Sequence, residues 1–459
     1  MPNLTRRQLL AGTAAVAASA TAARASAATQ AAALPSPGAS GIEHIVFLCM
    51  EHRSFDHYLG WLPGAAGRQA GLSYRDDHGV PHPTHHLTER QGCGSTTPTT
   101  PTKALAFSSW AGSSTASARA TTTTSPSATT PPRTCRSTDS SCTSPRSSTT
   151  GSPRRSAPPT PNRFYTHAAR TDRIDNTMRL TSMPTIWDRL AAAGVPATYY
   201  FSDLPFLALW GEKYLPISKP VGSFFTKTAS GTLPQLSYLD PFFLGEDQGG
   251  SNDDHPHADI HRGQALVSDV ANAIAQSPLW SKTALVITYD EWGGFFDHVK
   301  PPRFPDDHLT GPGEYDHGQT GFRVPAFVFS PFARRGGIDH GVYDHTSMLR
   351  FVEWRFELKP LSARDRSARN LALAMDFGKP NPSVPVLPMV LDPGPHLCGS
   401  PEVGWRRRTP SGSSSETSRT GPPGDTSPER RHEPESAAFS VPGSLAHLAG
   451  RGLLSLVVQ

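Results

Sequence analysis

Two acidic pairs stand immediately behind apolar runs: Glu51-His52 follows Ile45 to Met50, and Asp290-Glu291 follows Leu285 to Tyr289. Behind the second pair, Trp292-Gly293-Gly294 makes a sharp exit, with Asp297-His298 close by. In open α/β sheets the ligand sits beyond the carboxyl ends of the strands, where side chains from different strands converge. Carboxylates and imidazoles gathered there are the ligand set of a hard or borderline divalent cation. A third cluster, Asp253-Asp254-His255-Pro256-His257-Ala258-Asp259, precedes a helical stretch. In a dry cleft His255 or His257 can bind a phosphoryl oxygen or protonate a leaving group, since neutral pH lies near imidazole's ordinary pKa. Asp259 is equally suited to cap the helix behind it. His317, His340 and His345 are lone loop histidines and stay outside the candidate site.

The elements that must position these groups alternate in type. Ile42 to Met50 is a β-rich run, and Pro184 opens a short helix whose Ile186, Trp187 and Leu190 share a face before Gly194 closes it. A strand over Ala197 to Phe201 follows. Gly263 to Gln276 sets Leu266, Val267, Val270 and Ile274 on one stripe, and Leu285 to Tyr289 is the next apolar β-run. Val324 to Ser330 reads as another buried strand, and Ser347 as the cap of a helix over Met348 to Phe356. This alternation predicts an α/β fold: a mainly parallel central sheet sandwiched by helices.

The chain of 459 residues is long enough to bury a sizeable core, which excludes a disulfide-stapled miniprotein. Lys plus Arg number 43 against 39 Asp plus Glu, and the net +4 is spread along the chain, so nucleic acid is not an expected partner. Five cysteines, Cys49, Cys93, Cys135, Cys142 and Cys398, form no CxxC pair, which argues against a zinc knuckle and leaves room for one disulfide of unassigned pairing. Cys49, inside an apolar run, reads as a small core residue. Globular character covers residues 42–94 and 161–395. Between them, 43 of the 66 residues from Ser95 to Thr160 are Ser, Thr or Pro, with Asp139 the single acid, and such a low-complexity tract cannot bury enough apolar surface to order itself. Residues 401–459 read as a disordered tail.

The first 28 residues carry an address. Thr5-Arg6-Arg7-Gln8-Leu9-Leu10 is a twin-arginine pair, the run Ala11 to Ala23 is mildly apolar, and Ala25-Ser26-Ala27 is a small-residue cleavage pattern. The expected partner is the Tat export machinery and the expected location is secreted.

The segments Glu43-His44-Ile45-Val46, Glu51-His52-Arg53-Ser54-Phe55-Asp56-His57-Tyr58 and Tyr289 to Val299 resemble the bacterial phosphoesterase family, which contains secreted phospholipases C and related acid phosphatases on an alkaline-phosphatase-like fold. Pro161-Asn162-Arg163, Asp254-His255-Pro256 and Asp344-His345-Thr346-Ser347 extend the resemblance. It implies that Glu51 and Asp290-Glu291 bind a catalytic divalent metal ion and that His255 and His298 face the phosphate; the residues themselves add His52 as a metal ligand or phosphate contact and His257 as a substrate contact. The implied chemistry is phosphorylation of a metal-activated hydroxyl nucleophile, followed by release with water. The implied substrate is a phosphatidylcholine-like phospholipid or a small phosphate ester, with the membrane surface met only through that substrate.

Three departures from the family pattern stand out. His52 occupies the place of an Asn. The family nucleophile lies two residues before the Pro that is here Pro161, and that column holds Pro159, which leaves Thr160 one position late as the candidate nucleophile. An Asp-Pro-x-His segment expected after Cys93 is absent. The pattern stops after Gly94 and resumes at Pro161, so residues 95–160 read as a stretch translated in the wrong frame, against the alternative of a natural disordered insertion. The alternative reading for the whole chain is a catalytically impaired protein that binds metal or phosphate.

Overall fold

The computed structural model describes residues 34–75, 81–84, 90–91, 159–307, 316–334, 337–398 and 454–458. The export signal, nearly all of the Ser/Thr/Pro tract and most of the expected tail lie outside the described residues.

An eight-stranded sheet organises the chain. In sequence order its strands are β1 (His44–Met50), β4 (Ala197–Phe201), β5 (Ser218–Pro220), β6 (Leu236–Leu239), β7 (Thr283–Tyr289), β8 (Pro325–Phe329), β9 (Ile338–Asp339) and β10 (Leu454–Val458); β2 (Ser73–Arg75) and β3 (Pro81–Pro83) form a separate pair. The spatial order is β5-β4-β6-β1-β7-β8-β10-β9. The five strands from β5 to β7 run parallel, and β8 is antiparallel to β7. The sheet is thus mainly parallel and α/β, as expected.

The tail expectation fails over five residues, since Leu454–Val458 pairs antiparallel with β8 and parallel with β9. The physical reason is composition: Leu454-Ser455-Leu456-Val457-Val458 is an apolar, partly β-branched run, suited to pairing with an open strand edge. The reading of residues 95–160 as one tract also ends early, because Pro159 and Thr160 open a helix.

Helices cover both faces: α1 (Phe55–Leu59), α2 (Pro159–Ala168), α3 (Ile186–Ala192), α4 (Gly222–Ala229), α5 (Ile260–Gln276), α6 (His345–Arg355) and α7 (Ala363–Ser367). Strand β1 shows how two cores arise from one strand. Ile45, Phe47 and Cys49 enter the core formed with α2, α3 and α6, whereas Val46, Leu48 and Met50 enter the core formed with α1, α4 and α5. Period-two alternation with both faces covered explains an uninterrupted apolar run. Cys49 is a free, buried thiol, and burial pushes it up to about 12; Cys398 is disulfide-bonded.

Two helix starts differ from expectation. Helix α5 begins at Ile260, three residues before Gly263, because Asp259 caps it by accepting from the His261 N–H at 2.9 Å. Helix α6 begins at His345 with Asp344 as its cap, and Ser347 is the reciprocal partner, its hydroxyl accepting from the Asp344 N–H at 3.0 Å. A Ser three residues inside a helix can complete a capping box as well as start one, and the local sequence does not distinguish the two.

Candidate active site at the exits of β1 and β7

Strands β1 and β7 are neighbours paired in parallel from His44↔Thr283 to Met50↔Tyr289, so Glu51 and Asp290 leave the sheet side by side. Both continue the side-chain parity that faces α2, that of Ile45, Phe47 and Cys49 on β1 and of Ala284 and Val286 on β7. The exits are tied together: the Asp290 N–H donates to the Met50 carbonyl at 2.9 Å and the Arg53 N–H to the Glu291 carbonyl at 3.0 Å.

Directly after Glu51 the chain turns through His52, which holds φ +56°, a left-handed conformation uncommon for a residue with a Cβ. That turn aims the imidazole between the acids. His52 Nδ1 lies 3.0 Å from Glu51 Oε2, and Nε2 lies 2.8 Å from Glu291 Oε1. The backbone N–H groups of His52 and Glu291 donate to Asp290 Oδ1 at 3.1 and 2.7 Å. Gly293 makes the packing possible, since a Cβ there would stand 2.4 Å from the His52 carbonyl oxygen.

Arg163, one turn after Thr160 on α2, reaches into the same place. Its Nε donates to Glu51 Oε1 at 2.7 Å, Nη1 to Asp240 Oδ1 at 2.5 Å, and Nη2 to the Cys49 carbonyl at 3.0 Å. Asp240 also accepts a short hydrogen bond from the Tyr199 hydroxyl. The His255 ring packs tilted against that of His52, with centroids 3.9 Å apart and an interplanar angle of 53°, and its Nδ1 lies 2.5 Å from the Pro256 carbonyl.

The electrostatics follow from burial. Glu51, His52, Asp290, Glu291, Asp253 and His255 are all nearly inaccessible to solvent. Burial opposes ionisation of Glu51, yet the Arg163 guanidinium and His52 hold its carboxyl at about 2. His52 and Arg163 favour an ionised Asp290 too, but less than burial and Glu51 oppose it. Burial and the charge on Glu51 push the Asp290 carboxyl well above the ordinary range, and Asp253 likewise. Burial works against a charged His52, but Glu291 and Glu51 outweigh it and raise the imidazole. His255 is driven well below the ordinary value by burial and by His52.

The structure therefore brings Glu51, His52, Asp290, Glu291 and His255 into one group. It places the other candidates elsewhere. His257 Nδ1 faces the Gln91 carbonyl at 3.2 Å. His298 stands with Asp56 and Asp297 in a second group further along the same two loops. Thr160 is buried at the start of α2, its N–H donating to Asn176 Oδ1 at 3.1 Å. Sequence reasoning missed Arg163 and Asp240 as site residues. Asp240 stands at a strand exit, where the rule that singled out Glu51 and Asp290 applies, but β6 is only four residues long and went unrecognised. His345, set aside as a lone histidine, lies with Nε2 2.9 Å from the Tyr289 carbonyl, next to Asp290.

Residues 154–359 match the phosphoesterase family. Over that stretch the chain is similar to the family. The chain is 33% identical over 230 residues to a non-specific phospholipase C of Arabidopsis thaliana, covering 45% of this chain and 43% of the relative. It is 34% identical over 183 residues to phospholipase C B of Mycobacterium tuberculosis, covering 36% and 34%. It is 36% identical over 184 residues to a non-hemolytic phospholipase C of Burkholderia pseudomallei, covering 35% and 25%. The chain thus spans less than half the length of these relatives.

The residues fit a divalent cation. Glu51, His52 and Asp290 each offer a ligand atom within 4.8 Å of the others, and Asp290 Oδ2 is buried with no hydrogen-bond partner among the described residues. A buried carboxylate oxygen left bare is costly unless a positive charge faces it. The mixed carboxylate and imidazole set suits Zn²⁺ or Mn²⁺ better than a metal that prefers oxygen alone.

Proposed function

We propose that the chain is an exported, metal-dependent phosphoesterase of the phospholipase C type, hydrolysing the phosphate ester of phosphatidylcholine-like phospholipids. The observation that carries this reading is the unpartnered Asp290 Oδ2 beside Glu51 and His52, in a chain whose relatives here are named phospholipases C. Glu51, His52 and Asp290 would hold the cation, with Glu291 against His52 at its edge. Bound there, a divalent cation supplies Lewis-acid polarisation of a phosphoryl oxygen.

The chain's own residues divide the remaining work. Arg163 keeps Glu51 ionised and oriented from behind. His255 is neutral, and because its Nδ1 faces the Pro256 carbonyl, the proton sits on Nδ1 and Nε2 presents a lone pair. Nε2 can therefore take the proton of an attacking hydroxyl or water. Thr160 is the nearest hydroxyl to the family's nucleophile column, one helical turn from Arg163. Export is supported by the twin arginines Arg6 and Arg7 and the Ala25-Ser26-Ala27 pattern.

Pro159 favours a second reading, since a proline in the nucleophile column has no hydroxyl to phosphorylate: a secreted protein that binds metal or phosphate without turnover. Hydrolysis of phosphatidylcholine, and separately of a phosphomonoester, before and after chelator treatment decides between them. The enzyme reading expects chelator-sensitive release of phosphocholine that falls in Thr160→Ala; metal binding with no release from either substrate supports the second. Translating codons 95–159 in the other two frames checks whether a Gly-Pro-Thr joined to Pro161 exists in the gene.

A further inference from the structure

Three neighbouring strands, β4, β6 and β1, are joined near their carboxyl ends by one chain of side-chain hydrogen bonds. Tyr199 on β4 donates its hydroxyl to Asp240 Oδ2, just behind β6. Asp240 Oδ1 accepts from Arg163 Nη1 at 2.5 Å, and Arg163 Nε donates at 2.7 Å to Glu51 Oε1, just behind β1. Tyr199, Asp240, Arg163 and Glu51 are all buried. Backbone fixes the far end: the Asp240 N–H donates to the Tyr200 carbonyl at 2.9 Å, and the Tyr199 hydroxyl accepts from the Phe206 N–H at 2.8 Å.

A guanidinium is a planar fork that ordinarily grips both oxygens of one carboxylate. Here the fork is divided. Nη1 is taken by Asp240, while Nε and Nη2 both lie 2.7 Å from a single oxygen, Glu51 Oε1. Nη2 also donates to the Cys49 carbonyl at 3.0 Å, and the Phe243 ring covers the guanidinium at 4.6 Å. Glu51 Oε2 is thereby left on the side of His52, 3.0 Å from Nδ1. A second carboxylate on Arg163 also offsets a positive charge that would otherwise stand uncompensated behind a ligand awaiting a cation.

We propose that Asp240 is a positioning residue of the metal centre: held by Tyr199, it draws Arg163 to one side, so that the guanidinium meets Glu51 through Oε1 alone and leaves Oε2 for the cation. This rests on the reading of Glu51, His52 and Asp290 as cation ligands. Asp240 acts through Arg163 and is not itself a ligand. In Asp240→Asn one amide oxygen cannot accept from both Arg163 and Tyr199 as two carboxylate oxygens do, and the loosened fork is free to close on both oxygens of Glu51.

Titration calorimetry of Zn²⁺ or Mn²⁺ into the chelated full chain tests this without any need for turnover. Asp240→Asn is expected to weaken Kd by about 10- to 100-fold, the range for a residue that orients a ligand. The same substitution in an Arg163→Met background, where no guanidinium remains to redirect, leaves Kd unchanged. A merely structural Asp240 would instead lower Tm and leave the Kd of the folded protein where it was. If the Asn variant does not fold, Tyr199→Phe serves: it keeps both charges, removes one anchor and should weaken binding by about 2- to 10-fold. Wild-type affinity in Asp240→Asn overturns the proposal, as does a loss of equal size with and without Arg163, or an unaltered Kd in Tyr199→Phe where that is the variant that folds. A wild type that binds the cation and hydrolyses no ester defeats the phosphoesterase reading, and the comparison of Kd values still decides the role of Asp240; a wild type that takes up neither cation overturns the metal reading and this proposal together.

Discussion

The two carboxylate-histidine groups grow from the same pair of loops and use nearly the same residue types, yet one is short of positive charge and the other is complete. Around Glu51, His52, Asp290 and Glu291 the Arg163 guanidinium is shared with Asp240, and the oxygens Asp290 Oδ2 and Asp253 Oδ2 have no partner among the described residues. Around Asp56 and Asp297 the guanidinium of Arg323 and three backbone N–H groups account for the oxygens that His298 leaves. Residue composition therefore does not separate a cation site from a scaffold. The count of unmet hydrogen bonds does, because bare buried oxygens are tolerated only where something returns energy for them.

Removing the bare oxygen is the strongest test of that difference. Asp290→Asn should abolish hydrolysis and weaken metal binding by more than about 100-fold, beyond what loss of a ligand's support alone causes. Thermal unfolding with Zn²⁺ or Mn²⁺ after chelation reads it directly: wild type gains about 2.7 kcal/mol at a hundredfold excess over Kd, and the variant gains nothing. Converting the second group into the first comes next. Arg323→Gln leaves Asp56 and Asp297 facing each other without a cation, which should cost about 3–5 kcal/mol in urea unfolding. It should also create metal affinity, measurable by titration calorimetry in an Asp290→Asn background; a variant that stays stable and binds no metal would erase the distinction.

Smaller effects sharpen it. Gly293→Ala places a methyl 2.4 Å from the His52 carbonyl at φ +64°, so a loss of about 1–3 kcal/mol is expected, together with weaker metal binding, whereas the His298 ring signals stay in place. Glu353, outside both groups, supplies the pH background. Burial and then Asp365 raise its carboxyl from 4.5 to about 9, so the native state keeps a proton that the unfolded chain releases. Its contribution is whole below pH 4.5 and fades as pH rises through about 9. Glu353→Gln, which keeps a donor without titrating, should flatten that slope in Tm measured across pH.

Much of the frame was legible because it is periodic. The alternating burial of β1 and the apolar stripe of α5 are statements about spacing, and Ile186, Trp187 and Leu190 are buried on one face of α3 as their positions require. Glu51 and Asp290 were found for the same reason, each ending a run long enough to recognise. The residues that complete the site were hidden by short elements and long loops. Asp240 follows a four-residue strand, and Arg163 approaches from a helix whose first residues look like the end of a Ser/Thr/Pro tract. His298 illustrates the other limit: its proximity to Asp290 in sequence suggested one site, but the glycine turn at Gly293 and Gly294 carries it to Asp56 instead. Five residues of β10 show that a short apolar run in a polar segment still finds an open strand edge.

The pairing of β1 with β7 continues without interruption up to the last residue before the acids. Each residue advances a strand by about 3.3 Å and reverses its face, so a single inserted residue in either strand would carry its carboxylate one step along the axis and turn it to the opposite layer. The separation of Glu51 from Asp290 is thus gauged like the jaws of a caliper, by the strand pairing behind it, and lengthening the distant connections need not alter that gauge. A chain of this kind can exchange whole stretches between β1 and α2 and keep its chelating geometry, while a one-codon slip inside either strand would destroy it.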